Sequence, residues 1–554
     1  MPDAIYDAVV IGGGHNGLVT ACYLANAGMT VAVLERQHEI GGGACSEELP
    51  LPGFLSNPCA NFHTFYRNPA WQDFKLWEKG ARYEFSDIGA AAIFDDGTCL
   101  QGYPSMTAAD PITCEERAVP GGTEKMLREI ARFSERDAET GSVLIEKYQR
   151  KWGAALTEWV LNPPLPWGER DAIERLFDDP EDGIDPRYQV MTIKEVAYDL
   201  FESSELRTYF IRSAMSTSGC FPNEVLHVVD ALHQVMVVLS IFTPASPVGG
   251  THALAHALQK TLSEMGGKFF VHHEVDKVLI DNGVARGVRL TDGTEIGARK
   301  LVVSNVDPHQ NLFRFVGEDH ISPQLAMKVK NISYDGDPLF WAHFAVHELP
   351  KWKAADFNPD CLRAGRADFM PNDPETLADK HQAEILTRGI PEKLYVLAGI
   401  DSLLDKTRAP QGKHNILLEQ FTAPLRYFSE SQWLKMKRDI VNEMVRQWQW
   451  YAPNMTWDNI IASYCNTPSD VVKRNINMRE GCTVGIAQVA SQMGRFRPCP
   501  ELSRYRTPIK GFYMCGASMH YGGRIHGRNG YNCYKILAED FGLRKVWEER
   551  GRPY

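Results

Sequence analysis

Apolar positions along the chain follow two periods, and the change from one to the other marks the elements. Ala8 to Ile11 is an unbroken, β-branched-rich run that predicts a buried strand. Gly12, Gly14 and Gly17 follow, then a helix-forming segment from Leu18 to Ala27. Gly28 suits the end of that helix, and Thr30 to Leu34 predicts a second buried strand, ending in Glu35. Residues 251–304 predict a helix, a Gly-Gly turn at 266 and 267, and a strand reaching His272. Then come a strand from Val275 to Ile280, turns at Asp281-Asn282-Gly283 and Asp292-Gly293, and an apolar strand from Leu301 to Ser304. Phe512 to Cys515 is strand-like and a helical pattern runs on from Gly530. Between these lie a helical stretch from Thr192 to Met215 and strand-like runs at Leu339 to Val346, Leu394 to Ile400 and Asn415 to Phe421.

The first of these units carries chemistry. Gly12, Gly14 and Gly17 have the spacing G-x-G-x-x-G between a strand and a helix. The first permits the tight turn, the second lets a pyrophosphate approach the backbone, and the third lets the helix pack closely on the strand. The helix N-terminus points free N–H groups at the phosphates, and Glu35 stands where a ribose diol needs an acceptor. NAD and FAD both use such a unit.

After Glu35 come Arg36 and a second glycine cluster, Gly41, Gly42 and Gly43. With these the sequence resembles the FAD-dependent oxidoreductases of the phytoene desaturase type. Within that family it is most similar to the pyridine nucleotide-disulfide oxidoreductase domain-containing protein 2 subset, through Gly14-His15-Asn16-Gly17-Leu18. The C-terminal stretch GFYMCGASMHYGGRIHGRNGYNCYKILAEDFG matches independently. The resemblance implies FAD as cofactor, held by Gly12, Gly14, Asn16, Gly17, Glu35, Arg36, Gly42 and Gly43. It implies adenine against the backbone at Val275, Gly516 and Ala517 near phosphate and ribityl, Gly523 among the cofactor-binding residues, and Arg524, Ile525 and His526 toward the ring. Where the family usually has a third glycine this chain has Arg524, so either a cation reaches the flavin or the side chain turns out to solvent.

The matching pieces are separated in sequence, and 554 residues exceed one ordinary core. The expected fold class is α/β. A Rossmann-like FAD-binding domain is assembled from three discontinuous segments (1–80, 249–310 and 476–554). A mixed-sheet and helical substrate domain is inserted from 81–248, expected to be largely helical, and 311–475. Residues 162–188, rich in proline and acid, predict an exposed loop.

Composition removes several alternatives. A net charge of −11 without any basic run argues against nucleic acid. The dinucleotide unit starts at Tyr6, leaving no room for a signal peptide, and Val235 to Phe242 is too short to span a bilayer. That run is a core helix or a surface that dips into lipid, so the expected location is cytoplasmic, with peripheral membrane contact left open. Twelve cysteines show no C-x-x-C, which removes the adjacent redox pair of glutathione-reductase-like enzymes. Cys45 and Cys515 lie near the cofactor or are buried structural thiols. Seventeen histidines show no metal-ligand spacing, and no G-x-S-x-G elbow occurs.

The resemblance implies a dehydrogenase or desaturase in which FAD takes hydride from a C–H bond of an apolar, isoprenoid or allylic substrate. His526 and Tyr531 are the candidate acid or base residues, with His63 approaching from the other side. No second G-x-G-x-x-G follows a strand, so electrons are expected to leave to oxygen, a quinone or a partner protein rather than to a nicotinamide. The substrate wall is expected to be aromatic and aliphatic with few polar groups. Leu339 to Phe344 and Phe62 to Tyr66 are the runs to supply it, ordinary core packing being the alternative. A flavin amine or amino-acid oxidase using Tyr521, Tyr531 and Arg524 stays open, as does a flavin-bound interaction protein without turnover. The oligomeric state is left open.

Overall fold

The structure, a computed structural model, describes all residues except 1, 3, 62, 109, 111 and 244. Five parallel strands form the first sheet, in the order Lys268–Phe270, Val31–Leu34, Ala4–Ile11, Glu295–Ser304 and Phe512–Met514. Val9 lies between Ala32 and Val302, and all of Ala8 to Ile11 is buried. A strand covered on both faces has no polar side to show, which is why it reads as an unbroken apolar run. The first half of Glu295–Ser304 turns its other edge to Val284–Leu290, which pairs on with Val275–Asp281. This is a Rossmann-like sheet with an antiparallel extension.

The helix His15–Asn26 leaves the first strand directly and is flanked by His252–Glu264 and Arg528–Phe541. A Cβ added at Gly530 would stand 2.2 Å from the Asn16 carbonyl oxygen, so the last helix meets the first backbone to backbone. The C-terminal segment is thereby pressed against the glycine turn.

A second sheet of seven strands runs in the order Ile460–Asn466, Leu339–Val346, His414–Phe421, Leu397–Gly399, Arg366–Met370, Ala91–Phe94, Cys99–Gln101. Residues 81–248 are largely helical from Gly122 onward, as expected, while before them Ala91–Phe94 and Cys99–Gln101 close one edge of this sheet. Both are too short and too buried to display a period of two. The long helix Glu430–Tyr451 backs the sheet. Phe340 and Phe344 meet Trp433 and Trp448 edge-on, with ring centroids 5.9 and 5.5 Å apart. Alternation along the strand then commits Leu339, Trp341 and His343 to the opposite face.

The Thr192 to Met215 pattern is two helices, Ile193–Leu200 and Ser204–Ser218, broken where Phe201 turns extended and Ser203 caps the second. Residues 162–188, expected to be an exposed loop, hold the short 3-10 turn Glu174–Asp178 and bury Ala172, Ile173, Leu176 and Ile184, so the segment is pinned to the body. Val235, Val238, Leu239 and Ile241 are buried, which favours core packing over a lipid-facing surface. Among the described residues no helix is long and apolar enough to cross a membrane.

Candidate functional site

A cavity of about 770 Å³ runs along the C-terminal ends of the first sheet's parallel strands, where open α/β sheets place ligands. Its floor is the glycine turn. Gly14 caps the helix His15–Asn26 with no side-chain hydrogen bond and the first turn carries no acid, so its N–H groups meet the groove uncapped. The second glycine cluster is drawn onto the first: Gly41 N donates to Gly13 O at 2.8 Å, and a Cβ at Gly42 would lie 3.2 Å from Gly14 Cα. Gly17 is excluded from side-chain growth by the Gly12 carbonyl oxygen, 2.5 Å from its would-be Cβ.

Of the residues expected to hold the cofactor, Gly12, Gly14, Asn16, Glu35, Arg36, Gly42, Gly43, Val275, Ala517, Arg524 and Ile525 all line this cavity. Glu35 is buried and accepts from Gly13 N (2.8 Å) and Gln37 N (2.9 Å), so its carboxylate locks the turn while keeping lone pairs for a ribose. Asn16 Oδ1 is buried without a partner, an acceptor left unsatisfied at the groove. Gly516 and Gly523 stand just behind the lining. Their would-be Cβ atoms lie 3.0 Å from Asn305 O and 2.4 Å from the Val484 backbone, so backbone must pass there without side chains. An elongated groove over a helix N-terminus, with a carboxylate at one end and uncovered backbone along it, fits a dinucleotide.

Arg524 answers to neither alternative posed for it. Its backbone takes φ +84°, the left-handed conformation that a glycine adopts freely. Its guanidinium donates to Thr217 O (Nε, 2.7 Å) and Ser216 O (Nη2, 2.8 Å), capping the C-terminal end of Ser204–Ser218, with Asp337 at 3.9 Å.

Three buried histidines stand near one another, His15 in the groove lining and His63 and His526 each acting on it from behind, all with Nε2 unpartnered. Burial pushes His15 down to about 4 and His63 down to about 3, and drives His526 well below the usual imidazole range. All three are neutral at physiological pH. His526 Nδ1 accepts from Arg528 N and its carbonyl from Asn68 Nδ2, so the ring is held by its own loop. His63 shares a 2.8 Å hydrogen bond with the Tyr83 hydroxyl.

Tyr531 is a correction. Its hydroxyl donates to Tyr554 O and its ring packs 5.3 Å from Tyr23, behind the first helix and away from the groove lining. A helix residue one turn past the loop points where the helix face sends it, and that face is the core. Cys515 is likewise fully buried beside Cys533, whereas Cys45 lines the groove.

The expected apolar wall is corrected as well. The face of the second sheet that carries Trp341 also carries Glu419, paired opposite it, and Asp368 on a neighbouring strand. Tyr464 and Asn466, paired with His343 and Trp341, line the groove, so this face looks toward it. Burial, then the nearby Asp337 carboxylate, pushes Glu419 up to about 7, with Arg366, Arg212 and Arg524 opposing. Asp337 is buried, raised by burial, and accepts from the groove-lining Thr483 at 2.6 Å. Tyr66 packs edge-on to Tyr83 and Phe85, both at 5.3 Å, while Phe62 lies outside the described residues.

Sequence reasoning missed His15 as a groove residue in its own right, Asn305 to Asp307 at the end of a parallel strand, and the 473–478 segment. From that segment Arg474 reaches Glu47 (Nη2 to Oε2, 2.9 Å). The position of Asn305 directly after an apolar strand was the available signal; the 473–478 segment carried none. Among the described residues no group of histidine, cysteine and carboxylate side chains could hold a metal ion.

Residues 10–75 match the NAD(P)-binding Rossmann-like domain. Over nearly its whole length the chain is similar to one of the limonene dehydrogenase subunits of Castellaniella defragrans, with 28% identity covering 98% of this chain and 96% of that one. It is similar to pyridine nucleotide-disulfide oxidoreductase domain-containing protein 2 of Mus musculus, with 26% identity covering 97% and 94%. An oxidoreductase from Methanosarcina mazei shares the fold, with a TM-score of 0.59 and 16% identity over 96% of this chain and 99% of that one. The resemblance read from the glycine motifs is borne out.

Proposed function

We propose that the protein is an FAD-dependent dehydrogenase or desaturase that removes hydride from a C–H bond of an apolar, isoprenoid or allylic molecule. The observation that carries this is the continuity of one groove from the Glu35 carboxylate, over the uncapped helix N-terminus, to His15, Arg524 and Ile525. The full-length similarity to a limonene dehydrogenase supports the substrate class.

When bound, FAD supplies a two-electron acceptor for the hydride. The chain's own residues do the rest. The glycine backbone and the first turn of His15–Asn26 bind pyrophosphate, and Glu35 receives the ribose. His15, His63 and His526 are neutral, so they offer hydrogen bonds without placing a full positive charge beside the reacting carbon. His526 Nδ1 accepts from Arg528 N, so its neutral ring carries the proton on Nε2 and offers a donor there, while His63 accepts a proton only weakly, since burial disfavours the imidazolium. Glu419, raised to about 7, is better matched to hold or release a proton near neutrality. Electrons pass on to oxygen, a quinone or a partner protein.

One observation favours a second reading, a flavin amine oxidase: Thr483 in the groove lining donates to the buried Asp337 carboxylate, whose charge acts on Glu419, so two carboxyl groups stand behind that part of the wall for an ammonium group. Anaerobic spectroscopy of the purified protein separates the readings. Limonene and related terpenes should bleach the flavin, whereas NADH, NADPH and primary amines should leave it yellow. Bleaching by amines alone selects the oxidase; rapid bleaching by a nicotinamide overturns both; a colourless protein that cannot be reconstituted with FAD removes the cofactor assignment.

A further inference from the structure

We propose that a cavity between the helix Arg528–Phe541 and residues 158–165 is a second ligand site, which takes a small apolar carboxylic acid and pairs its carboxylate with Lys535. The cavity has a volume of about 410 Å³ and shares no lining residue with the cofactor groove. It lies where the stretch rich in proline and acid meets the body. Asn532, Lys535, Ile536 and Glu539 recur at helical spacing, and the first two reach that stretch. Asn532 Nδ2 donates to Val160 O at 3.1 Å, and Lys535 Nζ donates to Leu161 O at 3.3 Å and to Asn162 Oδ1.

Those contacts do not account for the charge on Lys535. Asn532 bonds carbonyls of the same segment without one, whereas a buried ammonium is costly unless a counter-charge meets it. Among the described residues Lys535 bonds to no carboxylate. The acids that line the cavity are engaged elsewhere. Glu158 holds Arg175 at 2.7 Å and Glu539 holds Arg506 at 3.2 Å, while Asp171 accepts from Trp159 Nε1 at 3.0 Å. Burial pushes Lys535 down to about 7, with Glu158 opposing.

Charge and shape select the occupant. The cations Arg495, Arg504, Lys535 and Lys545 face the acids Glu158, Asp171 and Glu539, so with Lys535 protonated the lining carries one positive charge in excess. His520, also in the lining, is pushed down to about 4 by burial and adds none near neutrality. One carboxylate balances that excess, whereas a dianion such as phosphate overshoots it beside three acids. Pro163, Pro164, Leu165, Ile536 and Trp547 supply apolar wall for the rest of the molecule. The Trp547 ring lies 5.0 Å from Lys535 Nζ, so apolar surface and ammonium adjoin.

The test titrates the purified full-length protein calorimetrically with cyclohexanecarboxylate, the neutral cyclohexanemethanol and inorganic phosphate. At pH 6.5 only the carboxylate should bind. Its affinity should fall about tenfold per pH unit above 7, because Lys535 must take up a proton to pair with it. Lys535→Met should weaken binding about tenfold or more, and Lys535→Arg should keep binding but lose the fall above pH 7. In the wild type, cyclohexanecarboxylate should also slow acetylation of Lys535 by acetic anhydride, read by peptide mapping. No binding of the carboxylate, equal binding of the alcohol, preference for phosphate, equal affinity in wild type and Lys535→Met, or unprotected Lys535 each overturns the proposal. If the methionine variant does not fold, the pH dependence and the protection in the wild type decide. None of these readouts needs the flavin, so failure of the cofactor assignment is distinguishable from failure of this site.

Discussion

Trp341 and Glu419 stand opposite each other on adjacent antiparallel strands of the second sheet, on the face turned toward the groove over the glycine turn. One side chain supplies apolar surface and the other a carboxyl held near neutrality, so the wall facing the site is neither purely apolar nor an ordinary polar surface.

That carboxyl should be visible in the pH dependence of stability. Glu419 is raised from its ordinary 4.5 to about 7 in the fold. Below 4.5 it is protonated folded and unfolded alike, and its stabilising contribution is fully present. As pH rises to about 7 the unfolded chain releases the proton first, and roughly 3 kcal/mol is lost. Asp230, also raised to about 7 by burial, acts in the same direction in wild type and variant alike. Thermal unfolding of wild type and Glu419→Gln at pH 5 and pH 8 should show the wild type losing ground to the variant at the higher pH. A difference that does not change with pH would place Glu419 in contact with solvent.

Gly14→Val should empty the groove. The would-be Cβ at Gly14 lies 2.6 Å from Asn305 Nδ2, and the γ carbons would fill space over the helix N-terminus. The flavin-to-protein absorbance ratio of the purified variant should fall below about a tenth of wild type, since little more than 1.4 kcal/mol suffices for a tenfold loss. A fully yellow variant would mean that phosphate binds elsewhere.

Glu35→Gln should weaken FAD binding by about 1 to 3 kcal/mol, through loss of a charge-assisted ribose bond. The structure adds that the amide keeps only one of the two acceptors that bond Gly13 N and Gln37 N, so the turn itself loosens. Isothermal titration of the apoprotein with FAD should therefore show a dissociation constant raised by roughly 5- to 150-fold. Unchanged affinity would mean that Glu35 serves the turn alone.

Arg524→Gly restores the residue usual in the family, and its main effect should be on stability rather than on redox potential. The guanidinium is engaged by Thr217 O, Ser216 O and Asp337, so little of its charge is free to act on a ring. Loss of these charge-assisted bonds costs about 1 to 3 kcal/mol, and relief of the φ +84° backbone returns about 1. The unfolding midpoint should drop while the flavin midpoint potential moves by less than about 30 mV, roughly 1.4 kcal/mol for a two-electron couple. A larger fall in potential at unchanged stability would show the cation acting on the ring after all.

By itself the sequence determined the strand, glycine turn and helix at the N-terminus, the acid that follows, the hairpins near 281 and 292, and the strand runs of 339–346 and 415–421. Their causes are local: φ freedom at Gly12, the clash a side chain at Gly17 would make, and apolar periods of two or three to four. Only the tertiary structure decided which side chains meet. Whether Phe340 or Trp341 faces the groove depends on where the helix Glu430–Tyr451 packs, nearly a hundred residues away in the chain. Tyr531 left the site because the crossing of two helices at Gly530 and Asn16 fixes which face is core. Glu419 met Asp337 because the strand His414–Phe421 packs against the segment that leads into Leu339–Val346. A side chain's type is written in the chain; its partner and exposure, and the resulting proton affinity, are set by register and packing across segments that no local period connects.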